Sequence, residues 1–423
     1  MSIGGFDAAA AVAEQAAWME ELLGELVASE TVLGGEEPGQ ARMAEAFGAC
    51  GLSPRDVWLD ARALRADPHS SPFSWDVGGK RCVVAHWPAA ASGGRSLILN
   101  GHIDVVPPAA AELWSSPPFS PRRDGDWLYG RGAGDMKAGL VAIVGAVRAL
   151  REAGMELRGD VHLQSVVEEE CTGNGALMCL LDGVRADGCV ITEPHPDHFT
   201  IAQLGVLWFH VEIAGRPVHA AYAGAGVNAI EAAQVVLGAL RELEAELNVD
   251  PPPPFDRIEH PINLNPGMIS GGDWGSTVPA RCSLSCRLAM YPGVSPRELQ
   301  RRVEDTVAAA ALRHPFLRAN PPRVRYDGFV GEGATVPVDA PLVQVLAGAY
   351  ADVHGGAPAL RPTTATTDAR HFLRHGIPTV CFGPRGESYH GIDERVALAS
   401  MHSCAEVLAR FVLRWCGVAG VSA

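Results

Sequence analysis

The stretch Val161-His162-Leu163-Gln164-Ser165-Val166-Val167-Glu168-Glu169-Glu170 reads as a buried strand that runs directly into three adjacent carboxylates. Acids set against an apolar run are costly unless something positive compensates them. A solvated charge run is the ordinary origin of consecutive glutamates. This one follows Ser-Val-Val and is soon followed by Gly173-Asn174-Gly175-Ala176-Leu177, a context that favours a site.

Other segments end in the same way. Leu97-Ile98-Leu99-Asn100 is a short apolar strand that delivers His102 and Asp104 at its C-terminal edge, and Cys189-Val190-Ile191 leads to Glu193. Ile377 to Phe382 is a further buried strand. Apolar residues at helical spacing predict helices over 8–28, 38–49, 136–150 and 340–353. Strands alternating with helices predict an α/β sheet with its site at the strands' C-terminal ends.

The pattern changes near residue 203. A strand over 206–213, a long helix over 227–247, an alternating strand over 282–288 and a helix over 295–312 form an α+β unit. It reads as an insertion, 204–317, into a domain built from 1–203 and 318–423, as suits a chain of 423 residues. Pro251 to Pro254 reads as a rigid loop inside the insertion, and the Pro- and Ser-rich 107–128 as a loop.

A net charge of −15 argues against a nucleic-acid partner, which needs clustered Lys and Arg. No stretch approaches the roughly 20 apolar residues of a membrane span, and Met1 to Val27 is Ala- and Glu-rich rather than a leader, so a soluble cytoplasmic protein is expected. The ten cysteines are scattered and read as reduced core residues, including Cys282 and Cys286, which lack the second pair of a zinc site.

Taken singly, the polar residues are weak signals. His102 and Asp104 lie two apart and project to one side of an extended segment, where the acid can steer the imidazole. Asp135 follows Gly130, Gly132 and Gly134, a spacing that fits neither a phosphate loop nor a dinucleotide fingerprint. It fits better a backbone bent to present a carboxylate. Glu193 and His390 alone would be ordinary polar residues. Together, two histidines and several carboxylates suit a pair of divalent metals and predict a two-metal hydrolase. No Gly-x-Ser-x-Gly elbow supports a serine hydrolase.

In order and spacing, His102-x-Asp104, Gly134-Asp135-Met136-Lys137, Glu169-Glu170, Thr192-Glu193-Pro194 and His390-Gly391-x-Asp393-Glu394 resemble a family of co-catalytic zinc enzymes. That family includes acetylornithine deacetylase, succinyl-diaminopimelate desuccinylase, aminoacylase and carboxypeptidase G. The resemblance spans about residues 12 to 412. It implies a zinc-peptidase-like domain with a central mixed sheet flanked by helices, and an inserted ferredoxin-like lid and dimerisation domain. It implies two divalent ions, Zn²⁺ first with Co²⁺ or Mn²⁺ as alternatives. Asp135 would bridge them, with His102 and Glu193 on one ion and Glu170 and His390 on the other. Glu169 would be the general base, and Asp104 would orient His102; a cis peptide after Asp135 is also implied.

His219, in Gly215-Arg216-Pro217-Val218-His219 before Gly226-Val227-Asn228-Ala229-Ile230, is similar to the family's oxyanion-stabilising lid histidine, which acts across a homodimer. Arg287 resembles the family's carboxylate-binding arginine, with Gly271 and Gly272 as further substrate-binding positions, although Ser276 replaces an Asn common in relatives. The implied substrate is a small N-acyl amino acid or a dipeptide-like amide. The activity is deacylation, with a dipeptidase or carboxypeptidase as the alternative. A non-catalytic metal-dependent binding protein is the alternative of another class, disfavoured because every ligand position and the base are filled.

Overall fold

A computed structural model describes residues 6–420, so the first five residues of the Ala-rich amino-terminal stretch lie outside it. Its centre is a nine-stranded mixed sheet. In spatial order the main path runs Pro54–Trp58, Arg81–Trp87, Val161–Val166, Leu97–His102, Cys189–Ile191, Thr379–Cys381, His198–Gln203 and Ala334–Thr335, while Ala359–Thr363 also pairs with His198–Gln203. The four strands Val161–Val166, Leu97–His102, Cys189–Ile191 and Thr379–Cys381 run parallel at its middle. They read as unbroken apolar runs because both faces are covered. Helices Ala8–Ala28, Ala138–Glu152, Pro341–His354 and Leu398–Cys416 share one hydrophobic core with this sheet. Asp7 opens the first of them by accepting from the backbone N–H of Ala9 at 3.0 Å.

A second sheet is antiparallel throughout, in the order Leu264–Gly271, Arg281–Met290, Gly205–Ala214, Arg323–Arg325, with Val330–Gly331 also paired to Gly205–Ala214. Two of its strands therefore lie beyond residue 317, further along the chain than the expected limit of the insertion. The α+β pattern weakens there because Arg323–Arg325 and Val330–Gly331 are too short to show alternation. Helices Ala229–Leu247 and Pro296–Leu312 share its separate core. Strand alternation sorts the faces. Cys282, Leu284, Cys286 and Leu288 are buried in that core, while Ser283, Ser285 and Arg287 point to the other face.

One expectation is corrected. The segment 107–128 is not all loop. It holds a 3-10 turn at Ala111–Leu113 and the first arm of a hairpin, Arg122–Asp124 with Trp127–Tyr129, which joins Arg395–Ala397 and Gly386–Glu387 in a small four-stranded sheet. The two-residue connection Gly125-Asp126, with Gly125 at φ +60°, is a hairpin turn, but its arms are too short to show alternation in the sequence. Among the described residues no helix is long and apolar enough to cross a membrane.

The helix Ala138–Glu152 lies tight against the strand end that carries Glu193. A methyl group on Gly139 would sit 2.2 Å from the Thr192 carbonyl oxygen, so backbone would have to move. Gly139→Ala is expected to lower stability by about 1–3 kcal/mol, read as an earlier urea midpoint.

Candidate metal centre

Three strand ends and two turns meet at one place. The strand Leu97–His102 is wholly buried and delivers the imidazole of His102, itself 1% exposed. The chain after Tyr129 turns through Gly130, Gly132 and Gly134 and presents Asp135 in extended backbone (φ −117°, ψ 98°) just before the helix, with a cis peptide to Met136. The expected helix start at Met136 is thus displaced to Ala138, because Asp135 and Met136 serve the turn.

Asp135 stands between the two histidines. Its Oδ1 lies 3.2 Å from His102 Nε2 and its Oδ2 lies 3.4 Å from His390 Nε2. On the His102 side, Glu193 Oε1 is 4.0 Å from the same imidazole nitrogen. On the His390 side, Glu170 Oε2 is 3.1 Å from Nε2. Single donor atoms of His102, Asp135 and Glu170, and likewise of His102, Glu169 and Glu193, lie within 4.8 Å of one another. His390, in left-handed backbone at φ +57°, is exposed and marks the mouth of the site.

Electrostatics describe a place short of positive charge. Burial drives the Glu169 carboxyl well above the ordinary range, and the neighbouring acids add to the effect. Burial likewise lifts Glu193 to about 8 and Asp104 to about 7. Asp135 is the exception: burial opposes ionisation, but hydrogen bonds and charge from His102 and His390 pull it well down. Burial would lower His390, yet Glu170 and Asp135 raise it to about 11, and the acids around His102 raise that group too. Two imidazoles among buried carboxylates form a nitrogen and oxygen donor set that suits borderline divalent ions. The residues present fit two such ions sharing Asp135.

Adjacent glutamates have different surroundings. Glu168 is fully buried in left-handed backbone (φ +65°) and points away from the centre. Its Oε1 accepts from Trp75 Nε1 at 2.8 Å and Lys80 Nζ at 3.0 Å, and its Oε2 from Thr172 Oγ1 at 2.8 Å. Glu169 and Glu170 line a cavity of about 560 Å³ together with His390 and Arg287. Among the described residues nothing donates a hydrogen bond to the Glu169 carboxylate.

Asp104 acts differently from the expectation. Its backbone carbonyl, not its carboxylate, takes His102 Nδ1 at 2.9 Å, the nearest carboxylate oxygen being 3.8 Å away. The carboxylate instead accepts the backbone N–H groups of Glu169 at 3.3 Å and Glu170 at 3.0 Å. Asp104 therefore fixes both strand ends at once.

Arg287 faces the cavity, and its one hydrogen bond among the described residues is a long one, 3.4 Å to the Thr364 carbonyl. His219 is not brought to the centre. It is exposed, its Nδ1 accepts from Ala221 N–H at 3.0 Å, and it is absent from the cavity wall. Gly271 and Gly272 line a different cavity, with Glu212 and Arg281. The register explains it: Asn265 is the residue opposite Arg287, and Gly271 is opposite Cys282. Six residues of strand separate the two positions, roughly 20 Å at the usual rise.

The sequence places Glu394 in a motif of the family but gives it no role. It is fully buried, and its carboxylate accepts from the backbone N–H groups of Gly132 and Gly134 at 3.0 Å and Asp135 at 2.9 Å, and from Arg131 Nη1. Nothing in Asp393-Glu394 distinguishes an acid that clamps a turn from a solvated one.

These roles separate by substitution. Glu168→Ala should lower stability by about 1–3 kcal/mol, because Trp75 and Thr172 lose a buried acceptor while Lys80 keeps Glu36, and bound-metal content is retained. Glu170→Ala should reduce bound metal with a smaller effect on stability. Denaturant titration and metal analysis of both variants check this.

Known proteins resemble this chain over most of its length. The family model for Peptidase family M20/M25/M40 matches residues 98–414. The chain is 30% identical over 340 residues to N-formyl-4-amino-5-aminomethyl-2-methylpyrimidine deformylase from Bacillus subtilis (strain 168), covering 76% of this chain and 79% of the relative. It is 30% identical over 354 residues to succinyl-diaminopimelate desuccinylase from Paracoccus denitrificans (strain Pd 1222), covering 80% and 88%. Among solved structures, the di-peptidase Dug1p from Saccharomyces cerevisiae shares the fold with a TM-score of 0.78 at 15% identity, over 96% of this chain and 98% of that one. With a family match across the strands, turns and helices that build the centre, the chain belongs to Peptidase family M20/M25/M40.

Proposed function

We propose that this chain is a metal-dependent amidohydrolase that cleaves the linear amide bond of a small N-acyl amino acid or a related carboxylate-bearing amide. One observation carries the reading: Asp135 stands between His102 and His390, and the cavity beside them is lined by a carboxylate, Glu169, and a cation, Arg287, neither of which has an ion-pair partner among the described residues. The two 30% identical relatives, by their names, remove formyl and succinyl groups.

His102, Asp135 and Glu193 would hold one divalent ion, and Asp135, Glu170 and His390 the other, with zinc the first choice for these donors. Such ions supply a more acidic water and a polarised carbonyl when bound. Glu169 lines the cavity beside the donor set and accepts no hydrogen bond among the described residues, so it is placed to take a proton from the attacking water and to pass it to the leaving nitrogen. Asp104 keeps Glu169 and Glu170 in place through their backbone. Arg287 would hold the substrate's carboxylate, and so select the position of the scissile bond.

The second sheet would serve as a lid and as the dimer contact. Its strand Leu264–Gly271 is an edge strand, with Met268 and Ile269 exposed at 66% and 62%. Edge strands with apolar side chains are natural places for a second copy to pair. In such a homodimer His219 would reach the partner's centre and hold the oxyanion. Free, buried cysteines at all ten positions accord with a reducing, cytoplasmic setting. The likeness of fold to a di-peptidase keeps dipeptide hydrolysis as the second reading.

Glu169→Gln is expected to keep both metal ions and to lose roughly 10²–10⁴-fold in kcat, measured beside metal content. A panel of N-formyl, N-acetyl and N-succinyl amino acids against free dipeptides tests the reading directly. Cleavage confined to dipeptides selects the second reading, and no cleavage of either class by metal-loaded protein refutes both.

Mixing Glu169→Gln chains with His219→Ala chains tests the dimer. If His219 acts across it, mixed dimers hold one intact centre and regain part of the activity. Absence of recovery after demonstrated subunit exchange places His219 outside the partner's centre.

A further inference from the structure

Three aromatic rings, Trp75, Trp208 and Phe329, line the cavity beside the donor set. On the strand Gly205–Ala214, Leu207, Phe209 and Val211 are buried in the second core, so Trp208 stands on the opposite face. Val206 shares that face and the cavity wall, and His210, Glu212, Ser283, Ser285 and Arg287 make the rest of it polar. Trp208 is the aromatic residue among them, and it lines the same cavity as Glu169, Glu170 and His390.

Register fixes its neighbours. Trp208 is directly opposite Arg287, and Arg287 is directly opposite Asn265 on the next strand. Opposite residues on one face have Cβ atoms about 4.5–5.5 Å apart. A carboxamide, a guanidinium and an indole therefore lie in one row across three strands, all at the cavity wall.

Two more rings complete the wall, and each is held. Phe329 has its centroid 6.3 Å from that of Trp208 and 4.4 Å from the Arg370 guanidinium carbon. Trp75 is tethered through Nε1 to Glu168. Gly328, at φ +86°, leaves room for the Trp208 ring, because a Cβ there would meet it at 2.5 Å. Rings fixed in this way offer flat apolar faces with little entropy to lose on binding. Arg287 has no carboxylate partner among the described residues, and burial disfavours its charge, so an anion is the complement it lacks.

We propose that the site selects aromatic substrates: N-acyl amino acids, or related carboxylates, whose amine half carries a flat ring against Trp208 while Arg287 holds the carboxylate. The cross-strand spacing sets ring and carboxylate only a few bonds apart, as in phenylalanine or tryptophan. This inference rests on the amidohydrolase reading and specifies its substrate.

Two measurements test it. In the first, metal-loaded full-length protein is assayed on N-formyl and N-acetyl derivatives of phenylalanine, tryptophan, leucine, alanine and glutamate. The aromatic derivatives should have kcat/KM about tenfold or more above alanine and glutamate, the scale of one aromatic contact. Trp208→Ala should bring the phenylalanine-to-alanine ratio towards one, and Trp208→Phe should restore most of it. A preference for glutamate or leucine, or a Trp208→Ala variant that slows all substrates alike, overturns the inference and leaves the hydrolase reading intact.

The second measurement does not need turnover. Phenylacetate and 3-phenylpropanoate should quench tryptophan fluorescence of Glu169→Gln protein at lower concentrations than butanoate, and Trp208→Ala should remove the difference. If neither acyl amino acids nor dipeptides are cleaved, the hydrolase reading fails, and the difference between aromatic and aliphatic carboxylates then decides by itself whether the cavity binds a flat ring.

Discussion

The grip of the Glu394 carboxylate on the turn before Asp135 is the constraint on which the centre depends. Three backbone N–H groups and the Arg131 guanidinium converge on one buried carboxylate. Hydrogen bonds to a charged group contribute about 1.5–3 kcal/mol each, and leaving their donors buried and unpaired costs about as much again. The turn needs this support because its glycines leave it little stiffness of its own. Gly132 is at φ +79°, and a Cβ on Gly134 would press on the Tyr389 ring at 3.1 Å. Glu394 is also four residues from His390 and adjoins the strand Arg395–Ala397, which pairs with Trp127–Tyr129. One side chain thus sets the position of Asp135 relative to His390 and ties both to the small sheet.

The same logic orders the triple glutamate. A strand sends successive side chains to opposite faces, so three adjacent acids cannot all face one site. Left-handed backbone at Glu168 breaks the strand there, and Lys80, Trp75 and Thr172 take up its charge. Glu169 and Glu170 then turn together towards the cavity, their N–H groups held by Asp104. Lys80 also pairs with Glu36 at 2.8 Å, which ties the segment before the helix Glu37–Ala49 to this strand end. Acids that would repel one another are thus apportioned between a buried lysine and the donor set for metal.

Much of this was legible in the sequence, for a physical reason. Parallel strands buried on both faces leave continuous apolar runs, and a polar residue at the end of such a run stands out, as His102, Glu169 and Glu193 do. The central sheet and the five candidate ligands follow from that contrast together with the family resemblance. What was not legible depends on contacts between distant segments. Glu394 looks like any acid until the turn it clamps is in place. The hairpin at Gly125-Asp126 has arms too short for a period to appear. Asp104 offers both a carbonyl and a carboxylate, and only the folded strand ends decide which one meets His102. The family resemblance groups Gly271 and Gly272 with Arg287, but a strand register separates them.

The second sheet shows how binding can be set apart from chemistry. Its inward positions, Cys282, Leu284, Cys286 and Leu288, are committed to a core and tolerate little change. Its outward positions, Ser283, Ser285 and Arg287 with Trp208 and His210 beside them, carry no such burden. Trp208, His210, Ser285 and Arg287 on that face line the cavity without taking part in the buried core, and His102, Asp135 and His390 belong to other strands and turns. The donor set demands positions fixed to fractions of an ångström, whereas the cavity face needs only a stable sheet behind it. The two demands therefore fall on different residues: alternate positions of one strand face the core or the cavity, and Trp208 and Arg287, side by side, belong to the cavity.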